Sequence, residues 1–277
     1  MGEPTLDQRY AEVRQRAQDA ISRAGRRDSV YLVAVTKNAE PDDIRRLIEL
    51  GHRDFGENRV QQLVQRAAVI QEWFERIKML PETVTAAERA EEAKRVGLGG
   101  AGHSIDVDQP VRWHMIGHLQ RNKARKVVEY SRLVHSVDSL RLAEELHALG
   151  HRRDKAIDVL IQVNVSGEEQ KYGCPAPAAE ALAEQIETMV HVQCRGLMTM
   201  APDTDNPENA RGTFERCREL FEEMQLKGFG DGRFNLLSMG MSGDFEIAIE
   251  EGANLVRVGT AIFGHRAETP EESHASA

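Results

Sequence analysis

The sequence predicts a single (β/α)8 barrel of the TIM type, with an extra helix ahead of its first strand. Three observations carry that expectation. Short apolar, β-branched runs recur eight times, and segments of helical period separate most of them. The chain's 277 residues suit a barrel, for which ~250 residues is typical. Small or polar residues end the runs, where such a barrel gathers its site on the βα loops. An open doubly wound sheet is the fallback.

Leu6, Tyr10, Val13, Ala17 and Ile21 recur at intervals of three and four and predict a helix over residues 5–25, stopping at Gly25. The run Val30–Asn38 predicts the first strand, with Lys37 at its end. Pro41-Asp42-Asp43 then opens a helix whose Ile44, Leu47 and Ile48 form one face. Arg53–Asn58 is a short strand followed by a helix from Val60. The remaining strands are Trp113–Ile116, Leu133–Val137, Val159–Val165, Cys194–Met200, Asn235–Met239 and Leu255–Val258. Helices over Leu119–Tyr130, Ser139–Leu149, Pro177–Val190, Pro207–Lys227 and Gly243–Glu251 lie among them.

One segment breaks the spacing. About 50 residues separate the helix that starts at Val60 from the strand at Trp113, too many for one βα unit. They include the charged run Glu82–Arg95 and a glycine-rich run, Gly97–Gly102. The glycines match G-x-G-x-x-G, but a charged helical segment precedes them and Ser104-Ile105-Asp106 opens no helix. A helix end followed by a linker is therefore the better account than a nucleotide loop. Residues 79–110 are expected to be an insertion and 267–277 a flexible tail.

A net charge of -9 argues against a nucleic-acid or anionic-membrane binder, both of which need a basic surface. No apolar stretch reaches membrane-spanning length, and Met1–Pro4 leads into a charged helix rather than a signal sequence. Three cysteines without C-x-x-C spacing fit buried thiols in a reducing compartment, so a cytoplasmic protein is expected. His114 and His118 straddle a strand end rather than share a helix face, which weakens a metal reading. The basic run Arg121–Lys126 reads as a solvated helix face.

Chemistry concentrates at the strand ends. An amine at the rim of a core is partly desolvated, which favours the neutral form that attacks a carbonyl; Lys37 is placed for that. Ser242 precedes the helix after strand seven at its N-cap, and Gly259-Thr260 ends strand eight. The loops after strands seven and eight are the usual phosphate position of such barrels. An amine with a phosphate cradle implies a phosphorylated carbonyl compound, either a sugar phosphate in an aldolase or pyridoxal 5'-phosphate (PLP). Arg257, two residues before Gly259, shares its inward side of strand eight and could face a pyridine nitrogen, weakening the ring as an electron sink.

The stretches Leu32–Lys37, Asp54–Asn58, Trp113–Lys123, Val163–Gly173, Gly196–Met200, Leu237–Ser242 and Val256–Gly264 closely resemble, in order, the pyridoxal 5'-phosphate-binding homeostasis proteins of the YggS/PROSC family. That family is related in fold to the barrel domain of bacterial alanine racemase. The resemblance implies Lys37 as the Schiff-base lysine, Ser242, Gly259 and Thr260 around the phosphate, Arg257 at the pyridine nitrogen, and Asn58 and Asn164 lining the pocket. The insertion, and Arg59 where the family usually has an aromatic residue, depart from its pattern.

The expected function is an intracellular PLP carrier or buffer with weak or no catalysis, a monomer with an oligomer left open as the alternative, and apo PLP enzymes as recipients. A racemase of the same barrel type is the alternative. It is disfavoured because the chain ends at Ala277, soon after strand eight, without a second domain to bring an opposing acid or base. A Schiff-base aldolase is disfavoured by Arg257.

Overall fold

Eight parallel strands close into a barrel in the computed structural model, which describes residues 3–79, 106, 108–165, 167, 172–202 and 204–265. In chain order the elements are α1 (Leu6–Arg23), β1 (Tyr31–Val35), α2 (Pro41–Glu49), β2 (Asp54–Glu57), α3 (Val60–Lys78), β3 (Arg112–Met115), α4 (Ala124–Tyr130), β4 (Ser131–Val137) and α5 (Leu140–Arg152). They continue as β5 (Ile157–Asn164), β6 (Cys174–Pro175), α6 (Ala176–Glu187), β7 (Val192–Met198), α7 (Arg211–Leu226), β8 (Leu236–Ser238), α8 (Phe245–Glu250), β9 (Leu255–Val258) and α9 (Thr260–Phe263). Around the barrel the order is β1-β2-β3-β4-β5-β7-β8-β9, and β9 returns to pair with β1. The two-residue β6 is an added rung on β5, pairing Cys174 with Val163.

The predicted extra helix is present. Thr5 and Gln8 form a capping box at the start of α1, and Tyr10, Val13, Ala20 and Ile21 are its buried face. The helix lies against α8 and α9, where Arg9 Nε donates to the Ile262 carbonyl at 2.7 Å and Arg16 pairs with Glu246 at 2.7 Å. It thereby braces the chain just after the last strand, next to the predicted phosphate turn.

Strand alternation sorts the side chains into two interiors. Phe55, Trp73, Leu146, Phe214, Phe245 and Val256 belong to a continuous apolar layer between strands and helices. Val33, Leu133, Leu160, Met198 and Leu255 form a separate small cluster inside the barrel. Along β9, Leu255 and Arg257 therefore share one face while Val256 and Val258 share the other.

Three details differ from expectation. Residues 119–130 do not start as a helix, because Gln120 is extended (φ -71°, ψ 136°) and only a 3-10 turn, Arg121–Lys123, leads into α4. Strand β7 begins at Val192 and ends at Met198, two residues earlier than the apolar run suggests at each end. The rung β6 was not foreseen: two residues carry no periodic signal. Most of the expected insertion, including the glycine-rich run, and the tail 267–277 lie outside the described residues. All three cysteines are free and buried, and burial pushes Cys174 up to about 11 and Cys194 and Cys217 up to about 12, so none is a ready nucleophile. No helix among the described residues is long and apolar enough to cross a membrane.

Candidate site at the C-terminal mouth of the barrel

Lys37 sits in the 3-10 turn Thr36–Asn38, just beyond β1. It is exposed, which corrects the expectation of a partly desolvated amine: the turn carries the residue past the strand end. The turn itself is held by residues that the sequence reading missed. Glu57 is fully buried at the end of β2, and its Oε1 takes hydrogen bonds from the Thr36 hydroxyl and from Arg66 of α3. Arg66 Nη2 also donates to the Ala39 carbonyl at 2.9 Å and the Lys37 carbonyl at 3.5 Å. Burial pushes the Glu57 carboxyl up, against the pull of Arg66 and Thr36. An acidic residue ending a short strand looks solvated in sequence. Only the arginine nine residues later hinted at a partner.

Next to this turn, β1 pairs with β9 in a register that sets Val33 beside Arg257 and Ala34 beside Val258. Gly259 follows, and a Cβ on it would lie 3.2 Å from both Cβ and the carbonyl oxygen of Val35. The end of β9 therefore abuts the strand that leads to Lys37. Asn38 Nδ2 completes the seam with a 3.3 Å bond to the Gly264 carbonyl.

Ser242 is not the cap of the following helix. Asp244 takes that place ahead of α8, turning its carboxylate back to the Met241 N–H at 2.6 Å. The Ser242 hydroxyl reaches across to the turn after β9 instead, where its oxygen accepts from the backbone N–H groups of Gly259 at 3.0 Å and Ala261 at 3.3 Å. Two N–H groups converging on one oxygen make a small nest suited to an anion's oxygen, so these residues fit a phosphate. Gly240 makes the loop possible. Its φ of +91° is left-handed, a Cβ there would meet Ala248 Cβ at 2.6 Å, and its carbonyl accepts the Arg257 N–H at 3.0 Å.

Arg257 lies below this loop, 3% exposed. Its Nη1 donates to Ser238 Oγ at 2.6 Å and Nη2 to the Thr199 carbonyl at 3.0 Å, which fixes the plane of the guanidinium. Burial lowers it to about 10, with Asp244 opposing, so it is charged at neutral pH. Thr260 follows Gly259 as the first residue of α9, half-buried.

Asn58 stands exposed at the end of β2, beside Lys37's strand. A Cβ on Gly117 would fall 2.2 Å from the Asn58 carbonyl oxygen, so only glycine lets the β3 loop approach so closely. Asn164 is on the far side of the barrel, at the end of β5, half-buried, with Oδ1 accepting the Gly167 N–H at 3.1 Å. The fold thus gathers Lys37, Asn58, Ser242, Arg257, Gly259 and Thr260 on neighbouring strands and leaves Asn164 opposite.

The two histidines of the Trp113–Lys123 stretch part company. His118 stacks on Tyr172 with ring centroids 4.4 Å apart, while His114 turns into the barrel and meets His135 at 2.9 Å. The described residues contain no group of three possible metal ligands. Arg121, Lys123, Arg125 and Lys126 are exposed, as a solvated face requires.

Fold and mouth define a barrel of the alanine racemase type: the family described as alanine racemase, N-terminal domain, matches residues 10–267. An alanine racemase from Clostridium difficile shares that fold at a TM-score of 0.58 and 10% identity, over 92% of this chain and 57% of its own. The "Pyridoxal phosphate homeostasis protein" of Aquifex aeolicus is 35% identical over 94% of this chain and 97% of its own length. Its Pseudomonas aeruginosa namesake is 34% identical over 95% and 96%. The chain belongs to this family of pyridoxal phosphate homeostasis proteins, within the alanine racemase N-terminal class. Among solved structures, PipY of Synechococcus elongatus with PLP bound matches at a TM-score of 0.67 and 32% identity, over 90% of this chain and 100% of its own.

Proposed function

We propose that this protein binds PLP at the C-terminal mouth of its barrel, holds it reversibly as a Schiff base on Lys37, and acts as a carrier or buffer in PLP homeostasis. The observation that carries the reading is the β1–β9 register, which brings the amine's turn and the Ser242–Gly259 nest to one seam above Arg257. PLP supplies an aldehyde, a phosphate and a pyridine nitrogen, and each has a chemically matched group here. Lys37 meets the aldehyde, Ser242, Gly259 and Thr260 surround the phosphate, and Arg257 faces the ring nitrogen. Asn58 borders the same seam, and Asn164 closes the pocket from across the barrel.

The buried guanidinium donates hydrogen bonds and accepts none, so it leaves the pyridine nitrogen unprotonated. That weakens the ring as an electron sink and suits storage better than turnover. Apo PLP enzymes are the natural recipients, and the buried free thiols suit the reducing cytoplasm. Adding PLP to the purified protein tests the reading: a visible band above that of free PLP should appear and disappear on borohydride reduction. A spectrum equal to that of PLP in buffer refutes it.

A further inference from the structure

A column of buried polar side chains runs through the barrel from Arg257 to the opposite mouth. Arg257 Nη1 lies 2.6 Å from Ser238 Oγ, and that oxygen lies 3.0 Å from His135 Nδ1. His135 Nε2 is 2.9 Å from His114 Nδ1, and His114 Nε2 is 3.2 Å from Asp54 Oδ1. Asp54 is held in turn by Arg112 Nε at 2.7 Å. His135 and Ser238 are 0% exposed and His114 is 5% exposed, so water does not complete these bonds.

The chemistry of the ends sets the direction of every link. A guanidinium only donates, so the Ser238 oxygen accepts from Arg257 and its own hydrogen goes to His135 Nδ1. His135 then carries its proton on Nε2 and donates to His114 Nδ1. His114 likewise carries its proton on Nε2 and donates to the Asp54 carboxylate. All the donors point from cation to anion, and each link polarises the next. The reverse order would make Ser238 accept twice, would leave its own hydrogen without a partner in the column, and would require protons on both nitrogens of His114. Burial, reinforced by the Arg257 cation, keeps His135 well below the usual imidazole range. Burial also works against ionised Asp54, but bonds from Arg112 and His114 outweigh it and hold the carboxyl well below its usual range.

We propose that His135 and His114 are positioning residues for the ligand: with Ser238 they lock the guanidinium that Arg257 presents to the pyridine ring, and they couple it to Asp54 at the other end of the barrel. The proposal rests on the PLP reading of the mouth. Asp54 and His114 border a cavity of about 260 Å³ at the N-terminal end, with Arg112, Arg132 and Asp158. A substitution there touches no group at the C-terminal mouth, yet should be felt by the ring.

Nitrogen-15 NMR of histidine-labelled protein without PLP tests the column itself. His135 should be a neutral Nε2–H tautomer at neutral pH, with a proton on His114 Nε2; an Nδ1–H proton on His135 would overturn the direction assigned. With PLP added, His135→Leu and Asp54→Asn should each move the visible band and its pH midpoint. His135→Leu should also weaken PLP binding about tenfold, while competition by inorganic phosphate stays unchanged. Wild-type band positions and midpoints in folded Asp54→Asn and His135→Leu would refute the coupling. If the wild-type protein takes up no PLP, the reading of the mouth and the positioning role fail together, whereas the tautomers still decide the column.

Discussion

The barrel wall separates two interiors of opposite chemistry. Outside it, between strands and helices, lies a continuous apolar layer that includes Phe55, Trp73, Phe214 and Phe245. Inside it, a small cluster around Val33, Leu160 and Met198 shares the space with His135, Ser238 and Arg257, all fully or almost fully buried. Apolar area removed from water stabilises the fold, whereas a buried charge costs desolvation that its partners barely offset. Stability therefore resides in the outer layer, and the inner column presents groups to the mouth.

Truncating the outer layer should have the largest effect. Phe214→Ala, at a site 0% exposed, should cost about 3–5 kcal/mol in urea unfolding while the folded fraction keeps its PLP band. Arg257→Met is the sharper contrast. It should stay within about 1–2 kcal/mol of wild-type stability, because lost hydrogen bonds and relieved desolvation oppose each other. Its PLP band should nevertheless move. A stability loss as large as that of Phe214→Ala would break the division between the two interiors.

Acid should act through the inner column's far end. The folded carboxyl of Asp54 lies below its unfolded value, so its contribution is present above the unfolded pKa of about 4 and is lost as pH falls from there. Asp54→Asn should flatten that part of the stability curve measured by urea titration, and an unchanged acid limb would contradict the pairing. The smallest effect is expected at the rim, where Ser242→Ala should weaken PLP binding about tenfold, about 1.4 kcal/mol, with little change in stability.

Most of the wall was legible in sequence, because each strand is a short apolar run and each outer helix has a buried stripe, as Ile44, Leu47 and Ile48 show. The positions of Lys37 and Gly259 followed from the strand ends. The inner column did not. His135 lies within Leu133–Val137 and Ser238 ends Leu236–Ser238, so both look like ordinary polar interruptions of core strands. Their shared inward parity with Arg257 was a usable signal, but β4 and β8 are not neighbours in the sheet, and only closure of the whole barrel sets His135 against Ser238. The Glu57–Arg66 clamp was hidden for a related reason: a buried carboxylate is recognisable only once its partner is in place.

The central claim is that Lys37 is the residue that holds PLP. Borohydride reduction of the PLP-loaded protein, followed by peptide mapping, tests it most directly. The account predicts one stoichiometric pyridoxyl label on the peptide containing Lys37, absent from Lys37→Ala, which retains weaker, non-covalent PLP binding through the Ser242–Gly259 nest. A stoichiometric label on another lysine, or an undiminished label in Lys37→Ala, would contradict it.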